Sequence, residues 1–374
     1  MKRRLKKRSI KGLSLEELRE FVESLGEKKY RAAQLFSWMY AKGAQSFDEM
    51  SDISKEFRQV LGSVADLGIL ELVRKSVSPS DGTTKFLFRL SDGASIESVL
   101  IPPDNSSRHA ADEQDEENDP EEGKRLTLCV STQVGCPLDC KFCATGTMGF
   151  LRNLTAGEII DQVLQAQRYA DRRITNLVYM GMGEPLLNYE EVMKSTELLM
   201  DDRSLNIGSK HITISTAGYA QHIRRMADEG RKPKLALSLH SLNNETRTSL
   251  MPITKKYPVE ELMDALEYYC HKTRKNVMFE YILFEGINDG DDDVRKIIKA
   301  SKRFPCRVNL IPFHSIEFTH PHGFSATLKG ASPERIARFS KKLRDADIPV
   351  FVRNSAGEDI DAACGQLAVN NEAA

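Results

Sequence analysis

Three cysteines fall within eight residues of this chain, Cys136-Pro-Leu-Asp-Cys140-Lys-Phe-Cys143. Thiolates are soft metal ligands, and at this spacing they can take three corners of a cubane iron–sulfur cluster. Tetrahedral zinc is the alternative; it usually draws on two CxxC pairs and needs a fourth ligand from elsewhere. The run predicts a [4Fe-4S] cluster on Cys136, Cys140 and Cys143, with one iron left open.

Other residues could line such a site. Gly181-Met-Gly183-Glu184-Pro185 follows an apolar run, and there glycines let the backbone approach a ligand while a carboxylate can accept from an ammonium group. The same turn would serve as an ordinary strand-to-helix connection. Ser215 to Gly218 and Ser238-Leu239-His240 close two later runs with small polar groups. A lone histidine such as His240 is more often structural than ligand-binding, so its place in the pattern is what recommends it. Cys129 lies seven residues before the cluster motif, and Cys364 lies in a late loop; each reads as an inert buried thiol or a reactive one. Cys270 and Cys306 keep the inert reading.

These residues need a frame. Apolar β-rich runs occur at 126–131, 174–180, 212–216, 235–240, 277–283, 308–312 and 350–353, with amphipathic helices expected at 155–169, 190–201, 259–275, 292–304 and 332–345. Strand and helix alternating about six times predicts an α/β fold with a parallel sheet, as a barrel or doubly wound. Sites in such sheets gather at the C-terminal strand ends, where the glycine turn, Ser215 and Ser238 fall. No GxGxxG follows the first strand, which weakens a dinucleotide-binding version. Before this block, residues 13–68 read as helical, with Ser14 and Glu17 as a capping box, and Thr84 to Leu90 and Ser95 to Ile101 read as strands. The expected division is a helical accessory domain at 1–75, a β-rich connection with an acidic loop at 76–121, a core at 122–359 and a C-terminal loop at 360–374.

Composition narrows the classes. With 374 residues, 40% hydrophobic and 29% charged, the chain suits a large globular domain with a smaller one, and wholesale disorder is excluded. Basic residues at the N-terminus lack an apolar run behind them, so neither a signal peptide nor a membrane span is expected, and the location expected is cytoplasmic. Seven cysteines, three of them crowded together, make a poor disulfide framework. The net charge of -1 hides an asymmetry: eight of the eleven residues from Asp112 to Glu122 are acidic, so the remainder carries 53 minus 46, or +7. A basic body suits a polyanionic partner, although scattered surface lysines would give the same count. The acidic tract reads as a solvated loop.

The CxxxCxxC run, together with the barrel-like alternation, resembles the radical S-adenosylmethionine (SAM) superfamily. Longer motifs sharpen the likeness: Thr127-Leu-Cys129-Val-Ser, Gln133-Val-Gly-Cys136, Phe142-Cys143-Ala-Thr-Gly, Met180-Gly-Met-Gly-Glu-Pro-Leu-Leu-Asn188, Ser238-Leu-His240, Asn309-Leu-Ile-Pro312 and Asp361-Ala-Ala-Cys364-Gly-Gln-Leu. Together these resemble the RlmN-type RNA adenosine C2-methyltransferases, and Leu25 to Ala33 with Trp38 to Tyr40 and Phe47 to Asp52 are similar to that family's N-terminal module. The resemblance implies a partial (β/α)6 radical-SAM barrel preceded by a small helical accessory domain. It also implies two SAM molecules per turnover: Cys364 takes a methyl group from one, and a 5'-deoxyadenosyl radical from the other activates that methyl for addition to C2 of the base. Cys129 would resolve the resulting protein–RNA adduct by a transient disulfide with Cys364, and Glu97 would accept a proton. Gly183, Glu184, Ser215, Ser238, Leu239, His240 and His314 match the positions that contact SAM, although His314 stands where many members have asparagine. The implied partners are 23S ribosomal RNA at the peptidyl-transferase centre, tRNA at the adenosine 3' of the anticodon, and a flavodoxin or ferredoxin as electron donor, acting on a monomer without membrane attachment. Two other functions fit the same cysteines in part: a related C8 methyltransferase, and a non-catalytic iron–sulfur RNA-binding regulator, which would have no use for Cys129 and Cys364.

Overall fold

The computed structural model describes residues 7–103, 125–353 and 355–369, so the acidic tract lies outside the described residues. Strand β1 (Arg8–Ser9) pairs in parallel with β2 (Ala65–Asp66), and between them lie α1 (Leu15–Ser24), α2 (Tyr30–Phe36) and α3 (Lys55–Val64). The expected capping box forms at α1: Ser14 N donates to Glu17 Oε2 at 2.6 Å and Glu17 N to Ser14 Oγ at 3.2 Å. The helices bury Leu18, Phe21, Leu35, Phe36, Phe57 and Leu61 in the same continuous apolar core that fills the sheet.

Strands β3 (Glu71–Val77), β4 (Thr84–Arg89) and β5 (Ser95–Ile101) form an antiparallel meander, and β5 pairs antiparallel with β6 (Thr127–Cys129). A short hairpin, β7 (Gln133–Gly135) with β8 (Phe150–Asn153), encloses the cysteine run and α4 (Ala144–Thr147). Then come α5 (Ala156–Gln167), β9 (Asn176–Tyr179), α6 (Tyr189–Met200), β10 (Ile212–Thr216), α7 (Ala220–Asp228) and β11 (Lys234–Ser238). The chain continues through α8 (Asn244–Leu250), α9 (Val259–Thr273), β12 (Val277–Ile282), α10 (Asp291–Ser301), β13 (Cys306–Ile311), α11 (Pro333–Arg344) and β14 (Val350–Val352). One mixed sheet runs in the order β14-β13-β12-β11-β10-β9-β6-β5-β4-β3, its β14 to β6 portion parallel throughout. This is the expected α/β alternation, open at β14 rather than closed by strand pairing among the described residues.

Three features differ from the sequence reading. β3 begins at Glu71, past the span expected to be helical but inside the accessory domain expected at 1–75, because its pairing with β4 fixes it where its own weakly alternating sequence does not. The strands at 84–101 extend the main sheet instead of linking two bodies. α7 and α8 also escaped notice, being only nine and seven residues long.

The N-terminal module is locked to α5. Lys11 and Asp161 form a buried ion pair, and Asp161 Oδ2 also accepts from Leu70 N at 2.6 Å. Gly12, at φ +93°, lies so near α5 that an added Cβ would fall 2.6 Å from Gly157 N. Among the described residues no helix is long and apolar enough to cross a membrane.

Candidate active site

The cysteine run leaves β7 and rejoins α4 as a tight loop. Cys136 N donates to Gly149 O at 2.8 Å, Lys141 N to Leu250 O at 2.9 Å and Cys143 N to Cys140 O at 3.1 Å, so the backbone is pinned near each thiol. Burial pushes Cys136 up to about 12, with the Cys143 and Glu184 charges adding, and pushes Cys140 well above the usual thiol range. Such thiols become thiolates when a positive centre binds them. Among the described residues no three His, Cys, Asp or Glu side chains are arranged to hold a single metal ion. The trio suits a cluster, whose size separates its ligands: three soft donors in one loop, an apolar shell of Phe142, Leu250 and Met251, and the Arg247 cation acting on Cys140.

The glycine turn after β9 stands against this loop. Gly183 has φ +102°, and a Cβ there would fall 2.6 Å from Gln133 Cβ. Glu184 N donates to Gln133 Oε1 at 2.8 Å. Its buried carboxylate accepts from Thr216 Oγ1 at 2.7 Å, Leu186 N at 3.0 Å and Ala217 N at 2.7 Å, which leaves Oε2 room for a further donor. Burial raises Glu184 to about 7 against those bonds.

Ser215 is on β10, Ser238 ends β11, and Leu239 and His240 follow it. His240 is largely committed to the fold: Nδ1 accepts from Ile282 N at 3.0 Å, its carbonyl accepts from Asn288 Nδ2 at 2.6 Å, and its ring meets Phe142 edge-on at 4.6 Å. Burial lowers it to about 3, so the imidazole is neutral. His314 is buried beside the C-terminal segment, with Nδ1 3.4 Å from Glu358 Oε1.

Cys129 is buried on β6 and Cys364 is solvent-open at the rim of the site; both are free thiols. Surrounding protein raises Cys364, Arg353 opposes that rise, and Glu280 and Cys143 add to it. Burial, and then the Cys364 charge, raise Cys129. The fold thus brings Cys364, from near the C-terminal end of the described residues, back to the part of the chain that holds Cys129 and Cys143. The segment carrying Cys364 is fastened over the cluster loop, since Ala144 N donates to Gly365 O at 2.7 Å and Thr145 Oγ1 to Leu367 O at 2.6 Å.

Glu97 stands on an interior strand, because β5 lies between β4 and β6. It is buried; Oε2 accepts from Ala368 N at 3.1 Å, and Oε1 lies 3.5 Å from Lys85 Nζ. Burial raises it, with Lys85, Ala368 N and Arg74 opposing.

Sequence reasoning missed three charged residues here. Arg247 is fully buried and binds the carbonyls of Ala217, Ser238 and Leu239. Glu280 stands in register with Ser238 and Asn309, takes Asn309 Nδ2 at 2.9 Å on Oε1, and has no hydrogen-bond partner on its buried Oε2. Lys85 reaches across from β4. The continuous apolar run around Glu280 in Val277–Ile282 was the one signal, since a strand apolar on both faces is covered on both; nothing in Thr84–Arg89 set Lys85 apart.

Comparison with known proteins gives the family. Residues 130–300 match the radical SAM superfamily, and residues 9–67 match the ribosomal RNA large subunit methyltransferase N-terminal domain. A probable dual-specificity RNA methyltransferase RlmN of Thermotoga sp. (strain RQ2) is 44% identical over 96% of this chain and 97% of its own length. A protein of the same description from Flavobacterium psychrophilum is 41% identical over 97% of this chain and 98% of its own. The crystal structure of a radical SAM methyltransferase from Sphaerobacter thermophilus superposes with a TM-score of 0.85 at 41% identity, covering 96% of this chain and 99% of that one. On these matches the chain belongs to the RlmN family of radical SAM methyltransferases.

Proposed function

We propose that this chain methylates C2 of an adenosine in 23S ribosomal RNA, with tRNA as a second substrate, by way of S-methylated Cys364 and a covalent protein–RNA adduct. The observation that carries this reading is the presence of two free thiols outside the cluster loop: Cys129 buried on β6, and Cys364 on an exposed residue of the segment that Ala144 N and Thr145 Oγ1 fasten over that loop. An iron–sulfur RNA-binding regulator would have no use for that pair. The relatives described as dual-specificity RNA methyltransferases support the choice of RNA.

C2 of adenine is an electron-poor carbon and no nucleophile, so it cannot displace a methyl group directly. When bound on Cys136, Cys140 and Cys143, a [4Fe-4S] cluster with SAM would supply the electron and the 5'-deoxyadenosyl radical, at a cost of two SAM per turnover and with a flavodoxin or ferredoxin as donor. The protein's own groups have separable roles. Cys364 carries the methyl group, and nearby Arg353 favours its thiolate. Glu97, raised by burial, accepts a proton from the base. Cys129 closes on Cys364 to release the product, and reduction resets the pair. Gly183, Glu184, Ser215, Ser238, Leu239 and the remaining faces of His240 and His314 form the SAM surface.

Removing either thiol should stop the reaction at a different point. Cys364→Ala should carry no S-methylcysteine and form no adduct. Cys129→Ala should be methylated on Cys364 and accumulate a covalent RNA complex, visible on a denaturing gel and mapped by nuclease digestion and peptide mass spectrometry. Equal behaviour of the two variants would overturn the thiol roles, and a methyl group found at C8 of the product nucleoside would overturn the choice of carbon.

A further inference from the structure

A buried ion pair in the antiparallel part of the sheet grips the Cys364 loop from both sides. Lys85 Nζ lies 3.5 Å from Glu97 Oε1 and donates to Asp361 O at 3.0 Å, while Glu97 Oε2 accepts from Ala368 N at 3.1 Å. The cysteine sits between those two anchors. Register explains why the pair can meet: Leu87 is opposite Glu97, and Lys85 is opposite Val99, which is opposite Cys129. Side chains two apart on a strand share a face, so Lys85, Glu97 and Cys129 stand together on one face of three neighbouring strands.

We propose that Lys85 is a positioning residue that couples the Glu97 carboxylate to the Cys364 loop and so fixes where the Cys364 thiol stands. The proposal rests on the reading of Cys364 as methyl carrier and Glu97 as proton acceptor. A buried ion pair stabilises a fold weakly, because the desolvation of both charges offsets most of their attraction. This pair also spends its hydrogen bonds on the backbone of the loop that carries the reactive thiol, a geometric task that an apolar pair could not perform. Its second effect is electrostatic. The groups acting on the Glu97 carboxylate are Lys85 from β4, Arg74 from β3 and the uncharged Ala368 N–H from the C-terminal segment, and Cys129 is the titratable group on the same face of β6. Of the two cations, Lys85 has the larger effect.

The test compares the full-length protein, cluster reconstituted, with Lys85→Met and Lys85→Arg. Three quantities are read: S-methylation of Cys364 with SAM in the absence of RNA, the alkylation rate of Cys364 by iodoacetamide in protein lacking SAM, and the pH profile of RNA methylation. Lys85→Met should slow S-methylation about tenfold or more, as a misplaced reacting group does, and should change the alkylation rate. Its acid limb should move to higher pH, because without the neighbouring cation Glu97 keeps its proton longer. Lys85→Arg should restore all three to within about threefold of wild type. Lys85→Met with wild-type methylation, alkylation and pH profile overturns the proposal. A uniform loss in both variants with an unmoved acid limb also overturns it, since that marks a merely structural lysine. Should Lys85→Met fail to fold, Lys85→Gln is read in its place. A wild-type protein that never carries S-methylcysteine overturns the methyl-carrier reading instead, and the alkylation rates then decide whether Lys85 positions the loop.

Discussion

Arg247 Nη2 donates to the Ser238 carbonyl at 3.0 Å, and the same nitrogen reaches the Ala217 carbonyl at 2.6 Å. One buried guanidinium therefore ties the C-terminal ends of β10 and β11 together at the rim where the SAM-contacting positions are expected. Nη1 donates to Thr254 Oγ1 at 2.7 Å and Nε to Leu239 O at 3.0 Å, so each of the three guanidinium nitrogens donates.

Arg247→Met should lower stability by about 3 to 5 kcal/mol, because it takes the guanidinium donors from the Ala217 and Ser238 carbonyls in a buried setting, while Leu239 O keeps only Ser241 N at 2.6 Å. Arg247→Lys should lose less but still weaken SAM binding, since one ammonium cannot span the two strand ends. Urea unfolding and calorimetric titration of SAM with the cluster-loaded protein measure the two effects; a Met variant of unchanged stability would contradict the clamp.

Glu280 has a buried oxygen with no partner, on the strand next to Ser238. A site that needs such a group accepts its cost in stability. Glu280→Gln should raise the melting temperature of the ligand-free protein by a few degrees, by about 1 kcal/mol, while reducing RNA methylation. A variant at once less stable and fully active would show that Oε2 serves the fold alone.

Glu97 gives the fold a pH dependence of known sign. Burial raises its pKa in the folded state, so between the ordinary carboxylate value and that raised value the folded protein binds more protons than the unfolded chain. Its contribution to stability falls as pH rises through that window. Glu97→Gln should remove this component from a plot of unfolding free energy against pH, and an identical slope in both proteins would refute it.

Gly183→Ala should destabilise the protein by about 1 to 3 kcal/mol through positive-φ strain and should displace Gln133. Because Gln133 Oε1 holds Glu184 N, the affinity for SAM should fall along with the melting temperature. An Ala variant with wild-type SAM affinity would separate the turn from the site.

What the sequence determined by itself was local. The cysteine spacing, the capping box at Ser14, the glycine turn and the β-rich runs are short-range patterns whose chemistry and backbone preferences act within a few residues; the box forms as expected. The alternation of strand and helix was legible as well, but the strand order was not, since a barrel and a doubly wound sheet share that alternation; pairing in space set it. Only the tertiary structure decided what joins distant segments. Lys85, Glu97 and Asp361 are unremarkable in one dimension, and a strand lysine or glutamate reads as solvent-facing until β5 is seen enclosed between β4 and β6. Arg247 looks like one more charged helix residue until its guanidinium meets carbonyls from β10 and β11. Burial and partner choice for these groups come from packing across tens to hundreds of residues, where hydrogen-bond geometry and desolvation act on neighbours in space rather than in sequence.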